Sequence, residues 1–433
     1  MRRVLLSLLL LSIMLMTSLK IPWAKADPRT WIVDDDGPAD FHTVTEAINA
    51  ASDGDTILVK SGAYYEQLYD VSKSLTIKGD CAQTTFVRGL GVGRSTNFNI
   101  SDLTIGMISP SGELPDPVFD VRESSGGFLN NCVLLYVGLG TLNSIGCPNI
   151  IIQGDKWTLS NNTIVDPLCG FADLCLWGAE TKVVGNTLGN ETFPARWLYI
   201  WANNDSLYHN NFYVEYSNVG ASGDRSTNWD NGYPSGGNYW SFYNGVDEYC
   251  GSNQDILGSD GIGDTPVVFD EYNIDHYPLM NTWNPIETSV KVAGKDYPVT
   301  IVSNTTISQT VTTTNTLHFK SSGISGDKGY INVIFPMANT TDIKVFIDGK
   351  KLTPPPFPVI NSNGTHYFIY FEFTLSSHDI GIQFAPSAPE VPVGGEWVPI
   401  NRLQLLPLWT SLASTIAVAA SLVGIKRIKK RQD

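Results

Sequence analysis

With 433 residues and a formal net charge of −15, the chain excludes several functional classes at once. An acidic surface repels phosphate backbones, so nucleic-acid partners are not expected. Hydrophobic residues at 42% exclude a globally disordered chain, and the length allows two or three ordinary domains.

The first segment, residues 1–26, reads as a secretory signal peptide. Arg2 and Arg3 give the positive start, residues 5–16 the apolar core, and Ala24-Lys25-Ala26 a small-x-small cleavage site. The mature chain then opens on the short strand Thr30-Trp31-Ile32-Val33 and the turn Asp34-Asp35-Asp36-Gly37-Pro38. A helix is predicted over residues 43–51, since Thr43 and Glu46 have capping-box spacing and Val44, Ala47, Ile48 and Ala51 share a face. Strands follow at residues 56–59 and 75–77, with a turn at Gly62. All six cysteines (Cys81, Cys132, Cys147, Cys169, Cys175 and Cys250) lie in the mature chain, an even count that permits disulfides outside the cell. Their spacing leaves the connectivity open and lacks the tight pairs a zinc site needs.

From residue 97 to 215 a unit recurs, made of a short β-branched run, an Asn-rich corner and another short run. The corners are Asn130-Asn131, Asn161-Asn162-Thr163, Gly185-Asn186-Thr187 and Asn210-Asn211-Phe212. The last three are spaced by about 25 residues, which signals stacked coils. Asparagine tolerates left-handed backbone at such corners, and aligned side chains can ladder from coil to coil. The competing architecture is a β-sandwich with Asn-rich loops.

Two stretches make the pattern specific. The opening WIVDDDGPADFHTVTEAINAASDGDTILVKSGAYYEQLYDVSKSLTIKGD resembles the N-terminal cap and first coils of right-handed parallel β-helix proteins of the pectin-lyase-like superfold. Within it, the resemblance is to the NosD-like branch common among exported archaeal proteins. The stretch GGNYWSFYNGVDEYCGSNQDILGSDGIGDTPVVFDEYNIDHYPLM resembles the ending of the same helices. The resemblance covers residues 31–280 and implies an all-β fold: a right-handed parallel β-helix over residues 27–284, its open N-terminal end covered by the helix. It speaks weakly about activity, because one fold hosts many functions.

After residue 284 the texture changes to longer alternating strands at residues 297–302, 329–335, 343–347, 367–373 and 380–384, with an Asp348-Gly349 hairpin turn. This predicts a small β-sandwich over residues 285–385. A proline-rich linker at 386–402 leads to an uncharged apolar run at 403–425, long enough to span a bilayer, with Trp409 near its outer end. The basic tail, residues 426–433, should stay cytoplasmic. The expectation is a single-pass cell-surface protein with its N-terminal bulk outside the cell. Seven sequons, at Asn99, Asn161, Asn190, Asn204, Asn304, Asn339 and Asn363, fit a glycosylated exported chain.

Candidate chemistry concentrates in four places. Asn253, Asp255, Asp260 and Asp264 are oxygen donors among glycines, a pattern that suits Ca²⁺. DGIGD also resembles the core of thrombospondin type 3 calcium loops, without the D-x-D-x-D run that precedes it there. Aromatics crowd residues 229–277, including Trp229, Tyr233, Tyr239, Trp240 and Tyr277, and either pack the end of the fold or stack on sugars. A polysaccharide lyase of this superfold pairs acids with a basic residue, and Arg196, Asp224, Arg225 and Asp230 are the cluster that fits. A glycoside hydrolase needs paired carboxylates, for which Asp166, Asp173, Glu180, Asp205 and Glu215 could share a face. Copper handling, which the NosD-like resemblance implies, would want clustered Met, Cys or His, whereas Met107, Met280, Met337 and the histidines are scattered. The leading expectation is a binding or envelope-structural protein for cell-surface or environmental glycans, with the calcium-dependent lyase or hydrolase as the rival.

Overall fold

The computed structural model describes residues 27–109, 118–138, 150–165, 173–201, 203–221, 227–337, 340–354 and 356–386. The segments expected to be signal peptide, membrane span and basic tail, and the linker after residue 386, lie outside these residues. Among the described residues no helix is long and apolar enough to cross a membrane.

The repeating coils form a parallel β-helix with three faces. One face is an eight-stranded sheet running from Thr30–Val33 and Thr56–Val59 to Ser206–Tyr208. The other two belong to a thirteen-stranded sheet that divides at Thr85–Gly93. The first half of that strand pairs with Thr104–Ser109 and continues the second face; its second half pairs with Phe119–Arg122 and continues the third. Gly62, expected in a turn, instead opens the strand Gly62–Val71, which likewise runs along both faces.

Alternation puts one apolar residue per turn on the axis of each face. On the first face Ile57, Ile77, Ile100, Leu129, Leu159, Val183 and Leu207 stack in register, each 0–1% exposed. On the second, Ile105, Leu134, Ile164, Leu188, Phe212 and Trp240 do the same, and the side chains grow toward the C-terminal end. The step on the first face is 20 and 23 residues from Ile57 to Ile77 to Ile100, 29 and 30 from Ile100 to Leu129 to Leu159, and 24 from Leu159 to Val183 to Leu207. Most of the extra residues of the two long coils enter between the second and third faces, at 110–118 and 139–149. Only two residues separate the first face from the second in every coil from Ser101/Thr104 to Tyr208/Asn211.

That two-residue corner carries the asparagines. Asn131 and Asn161 take left-handed backbone at φ 53° and 55°, and Gly185 at 70° replaces asparagine in the next coil. The following residue points inward. Asn162, Asn186, Asn210 and Asn238 are 0–2% exposed and form a continuous ladder. Each Oδ1 accepts the backbone N–H of the residue one coil earlier, and those of Asn186, Asn210 and Asn238 also accept the preceding asparagine's Nδ2–H, at 2.9–3.1 Å. Each Nδ2 also donates to a main-chain carbonyl.

Both ends are closed. The N-terminal helix is Val44–Ala50, one residue shorter at each end than expected. Thr43 Oγ accepts from Glu46 N as the capping box requires. The reciprocal acid is Glu66, whose carboxylate takes the Val44 and Thr45 amides. At the other end Lys73 Nζ donates to the carbonyls of Ile48, Asn49 and Ala51 at 2.6–2.9 Å. The C-terminal end is closed by Trp229, Trp240, Phe242 and Phe269, packed with ring centroids 5.1–5.7 Å apart. These aromatics therefore pack the fold.

The sandwich follows as expected, with longer strands. One five-stranded sheet runs Pro285–Val292, Lys295–Ser303, Lys328–Pro336, His366–Thr374, Val359–Ser362; the other runs Thr306–Thr313, Thr316–Ser322, Ser377–Pro386, Thr340–Ile347, Lys350–Lys351. Phe335, Phe371 and Phe384 fill the space between them. Asp348 and Gly349, both at positive φ, make the predicted hairpin turn. Cys81, Cys132 and Cys250 carry free thiols, and burial pushes that of Cys132 up to about 12. Cys147 and Cys169 lie outside the described residues.

Candidate functional site

The third face holds large aromatic and charged groups at successive outward positions, with solvent on one side. Register aligns Gly91, Asp120, Ile151, Cys175, Tyr199 and Gly220 in one outward column. A second column starts with Gly93 and Arg122 and continues through Trp177 and Trp201. The amides of Trp177 and Trp201 extend the ladder to Ile152 O and Leu176 O. The two tryptophans are 52% and 55% exposed. Trp197, outward in the same strand as Tyr199, stacks on it at 5.2 Å and 15°.

At its N-terminal end the strip deepens into a groove of about 570 Å³ lined by Tyr69, Asp70, Arg94, Asp120, Arg122 and Glu123. Glycine is required on the groove floor: a Cβ at Gly93 would run into the Asp70 carboxylate, and one at Gly91 would sit 3.3 Å from the Asp70 amide. Arg94, at φ 55°, pairs with Glu123, at φ 50°, one coil later at 3.1 Å. Arg122 grips Asp120 Oδ2 through Nε and Nη2, both at 2.6 Å, and Asp120 Oδ1 has no hydrogen-bond partner. The face thus offers a polar, ion-paired end and an aromatic end.

The lyase candidates divide. Arg196 sits at the edge of the third face, its guanidinium 6.0 Å from the Trp197 ring centre. Asp230 belongs to the C-terminal closure, where it accepts from Gly232 N and faces His276 N and Nδ1, each of the latter at 3.0 Å. Asp224 and Arg225 lie outside the described residues. The hydrolase acids are dispersed as well. Glu180 is at a corner 3.9 Å from Lys156, Glu215 is exposed before the turn Tyr216–Asn218, and Asp205 is interior. Asp166 is outside the described residues, and Asp173 stands in register with Trp197 on the third face.

Asp205 is 0% exposed. Its Oδ1 accepts Thr181 N at 2.8 Å and its Oδ2 has no partner. Burial, opposed by that one amide, pushes its pKa from 3.8 up to about 7. The folded state holds this proton more tightly than the unfolded chain. Its contribution to stability is therefore complete below pH 3.8 and is lost as pH rises through about 7. Asp205→Asn is expected to flatten that slope and to stabilise the fold above pH 7 by on the order of 2–4 kcal/mol, read from urea unfolding at pH 5 and pH 8.

The calcium candidates do not form a shared donor set. Asn253 and Asp255 are exposed in the turn before Ile256–Leu257. Asp260 accepts from Tyr233 OH at 2.9 Å and Ile262 N at 3.1 Å. Asp264 accepts from Glu248 N and Tyr249 N. Asp247, not singled out by sequence, accepts the amides of Asp260 and Gly261 at 3.0 and 2.8 Å, and burial pushes it up to about 7. The oxygens of Asp247, Asp260 and Asp264 thus accept donors that close turns. The one group of three acids among the described residues with donor atoms within 4.8 Å is Asp34, Asp35 and Asp36. Asp34 and Asp35 there accept main-chain amides of Asp36, Gly37 and Ala63. Among the sequons, Asn161 and Asn204 are exposed at left-handed corners, whereas Asn99 buries its Oδ1. Asn190, Asn304 and Asn363 bond nearby main chain, and Asn339 is outside the described residues.

No protein-family model and no characterised protein sequence matches the chain. Among solved structures it is similar to a pectin methylesterase variant in complex with a hexasaccharide, at 14% identity and TM-score 0.27, covering 42% of this chain and 72% of that one. It is similar to pectin methylesterase PemA from Erwinia chrysanthemi at 15% identity and TM-score 0.26, with the same coverage. A tailspike protein from an Acinetobacter baumannii bacteriophage, a capsular polysaccharide depolymerase, matches at 11% identity and TM-score 0.16, covering 77% of this chain and 62% of that one. Likeness at these scores carries no argument about activity. The parallel β-helix stands on the sheet topology itself.

Proposed function

We propose that this protein binds glycans along the third face of its β-helix, from a cell surface to which residues 403–425 anchor it. The observation that carries the reading is the pair Trp177 and Trp201. They occupy the same outward position in successive coils, about 4.8 Å apart along the axis, and each leaves half its surface in solvent. Isolated exposed aromatics are ordinary, but two in register beside a polar groove make a platform on which sugar faces stack while hydroxyls reach charged partners. The signal-like N-terminus and the basic tail after the apolar run support the surface location.

Affinity electrophoresis of the full-length protein in detergent, against a panel of soluble polysaccharides, tests the reading. At least one polysaccharide should retard the protein, and Trp177→Ala and Trp201→Ala should each weaken retardation roughly tenfold. Absence of retardation throughout, or tryptophan variants that bind like the parent, would sink it. Calcium is not needed for the closure in this reading, since Asp260 and Asp264 are satisfied by protein donors. Chelation with EDTA is expected to leave the melting temperature unchanged in a calorimetric scan.

A further inference from the structure

We propose that the glycan held by the third face is uncharged, an inference that rests on the binding reading above. The groove end of the strip contains three carboxylates, Asp70, Asp120 and Glu123, and two guanidinium groups, Arg94 and Arg122. Both arginines are already paired with groove carboxylates. Arg122 is committed to Asp120 through two nitrogens at 2.6 Å, and Arg94 to Glu123 at 3.1 Å. Lys73, where the groove adjoins the capping helix, spends its ammonium on three carbonyls. At the far end Arg196 lies against Trp197 at the edge of the face.

A polyuronate or sulfated chain lying along the axis would set its charges against the Asp70, Asp120 and Glu123 side chains. It would have to break an internal ion pair for every cation it gained, on a chain already at −15. Uncharged sugar hydroxyls meet no such cost. They donate to carboxylate oxygens, and the exposed carboxylates of Asp70 and Glu123 are acceptors on the groove wall. The aromatic end adds stacking that is indifferent to charge.

The test is affinity electrophoresis of the full-length protein in gels containing galactomannan, mixed-linkage glucan, polygalacturonate or alginate, at roughly 0.05 and 0.5 M NaCl. The expected result is retardation by a neutral polymer that salt does not alter, and none by the two anionic polymers. Glu123→Gln and Asp120→Asn each release an arginine. They should create retardation by polygalacturonate of at least severalfold, abolished by the higher salt. Salt-sensitive retardation of the parent protein by an anionic polymer overturns the inference. So does failure of both variants to gain any affinity for polygalacturonate, because the paired arginines would then not be what excludes the anion. No retardation of the parent by any of the four, with the tryptophan variants equally inert, would instead remove the binding reading on which this one rests.

Discussion

Asn186→Ala is expected to destabilise the β-helix by about 3–5 kcal/mol, among the largest effects of any polar substitution in the chain. Asn186 is 1% exposed and makes four ladder contacts. Its Oδ1 accepts Asn162 N and Asn162 Nδ2 at 2.9 Å; its Nδ2 donates to Leu159 O at 2.8 Å and to Asn210 Oδ1 at 3.0 Å. Alanine removes all of them at once and leaves the Asn162 amide and one Asn162 Nδ2–H without their acceptor and the Leu159 carbonyl without this donor, in a place water does not reach, while Asn210 Oδ1 keeps the backbone N–H of residue 186. Each unpaired buried group costs about 1–3 kcal/mol, partly relieved by relaxation. The neighbouring Asn161→Ala is the control. Its side chain is exposed and its one amide contact spans 3.5 Å, so the cost there should stay near that of placing alanine in left-handed backbone, about 1 kcal/mol. Urea unfolding of both variants decides the matter. A loss for Asn186→Ala no greater than for Asn161→Ala would mean that the ladder does not hold the coils together.

Asp275→Leu is the second large effect, expected at about 3–5 kcal/mol at pH 5. Asp275 ends the ladder. It is 0% exposed, and its Oδ2 accepts Asn238 N and Trp240 Nε1, both at 2.9 Å, while Oδ1 accepts Tyr277 N at 3.2 Å. A ladder in which every amide donates in one direction ends on a group that offers acceptor oxygens and no N–H, and the Asp275 carboxyl is that group. Leucine fills the volume but strands the three N–H groups. Asparagine keeps an acceptor toward Trp240 and turns an NH₂ on Tyr277 N, so Asp275→Asn should cost less, about 1–2 kcal/mol. Burial pushes the Asp275 pKa from 3.8 up to about 7, against the donors that favour its charged form. As with Asp205, the carboxyl's contribution is full below pH 3.8 and declines as pH rises through about 7. The gap between parent and Asp275→Asn should therefore be wider at pH 5 than at pH 8; thermal melts at the two values read it. An Asp275→Leu variant as stable as the parent would show that the ladder does not depend on its last acceptor.

The ladder was half legible in the sequence. The recurrence of Asn162, Asn186 and Asn210 every 24 residues states a coil length and a corner before any coordinates exist. Its terminus was not legible, because Asp275 comes 37 residues after Asn238 through chain with no period. The capping helix shows the same division. Thr43 and Glu46 are local and readable, while Glu66 and Lys73, which satisfy its two ends, arrive from a strand and a turn that only the fold brings near. The third-face platform is also written in the sequence. Leu174-Cys175-Leu176-Trp177 and Leu198-Tyr199-Ile200-Trp201 share one pattern at the ladder's own 24-residue step. Density drew attention to the aromatics of residues 229–277 instead, and those close the end of the fold. For the acids of residues 247–264, side-chain type suggested a metal, while the main-chain amides that claim them are invisible until the turns are built.

The fixed two-residue corner between the first and second faces has a consequence for how such a protein changes over generations. Lengthening there would shift every later asparagine off its rung, so an insertion at that corner would cost the ladder. The passage from the second face to the third obeys no such rule, and coils of 24 and about 30 residues coexist in one chain. New sequence can therefore enter along that seam, which borders the strip of Asp120, Arg122, Trp177 and Trp201. A lineage can remodel what this protein recognises by trial at that seam, while the scaffold that orients the strip is inherited intact.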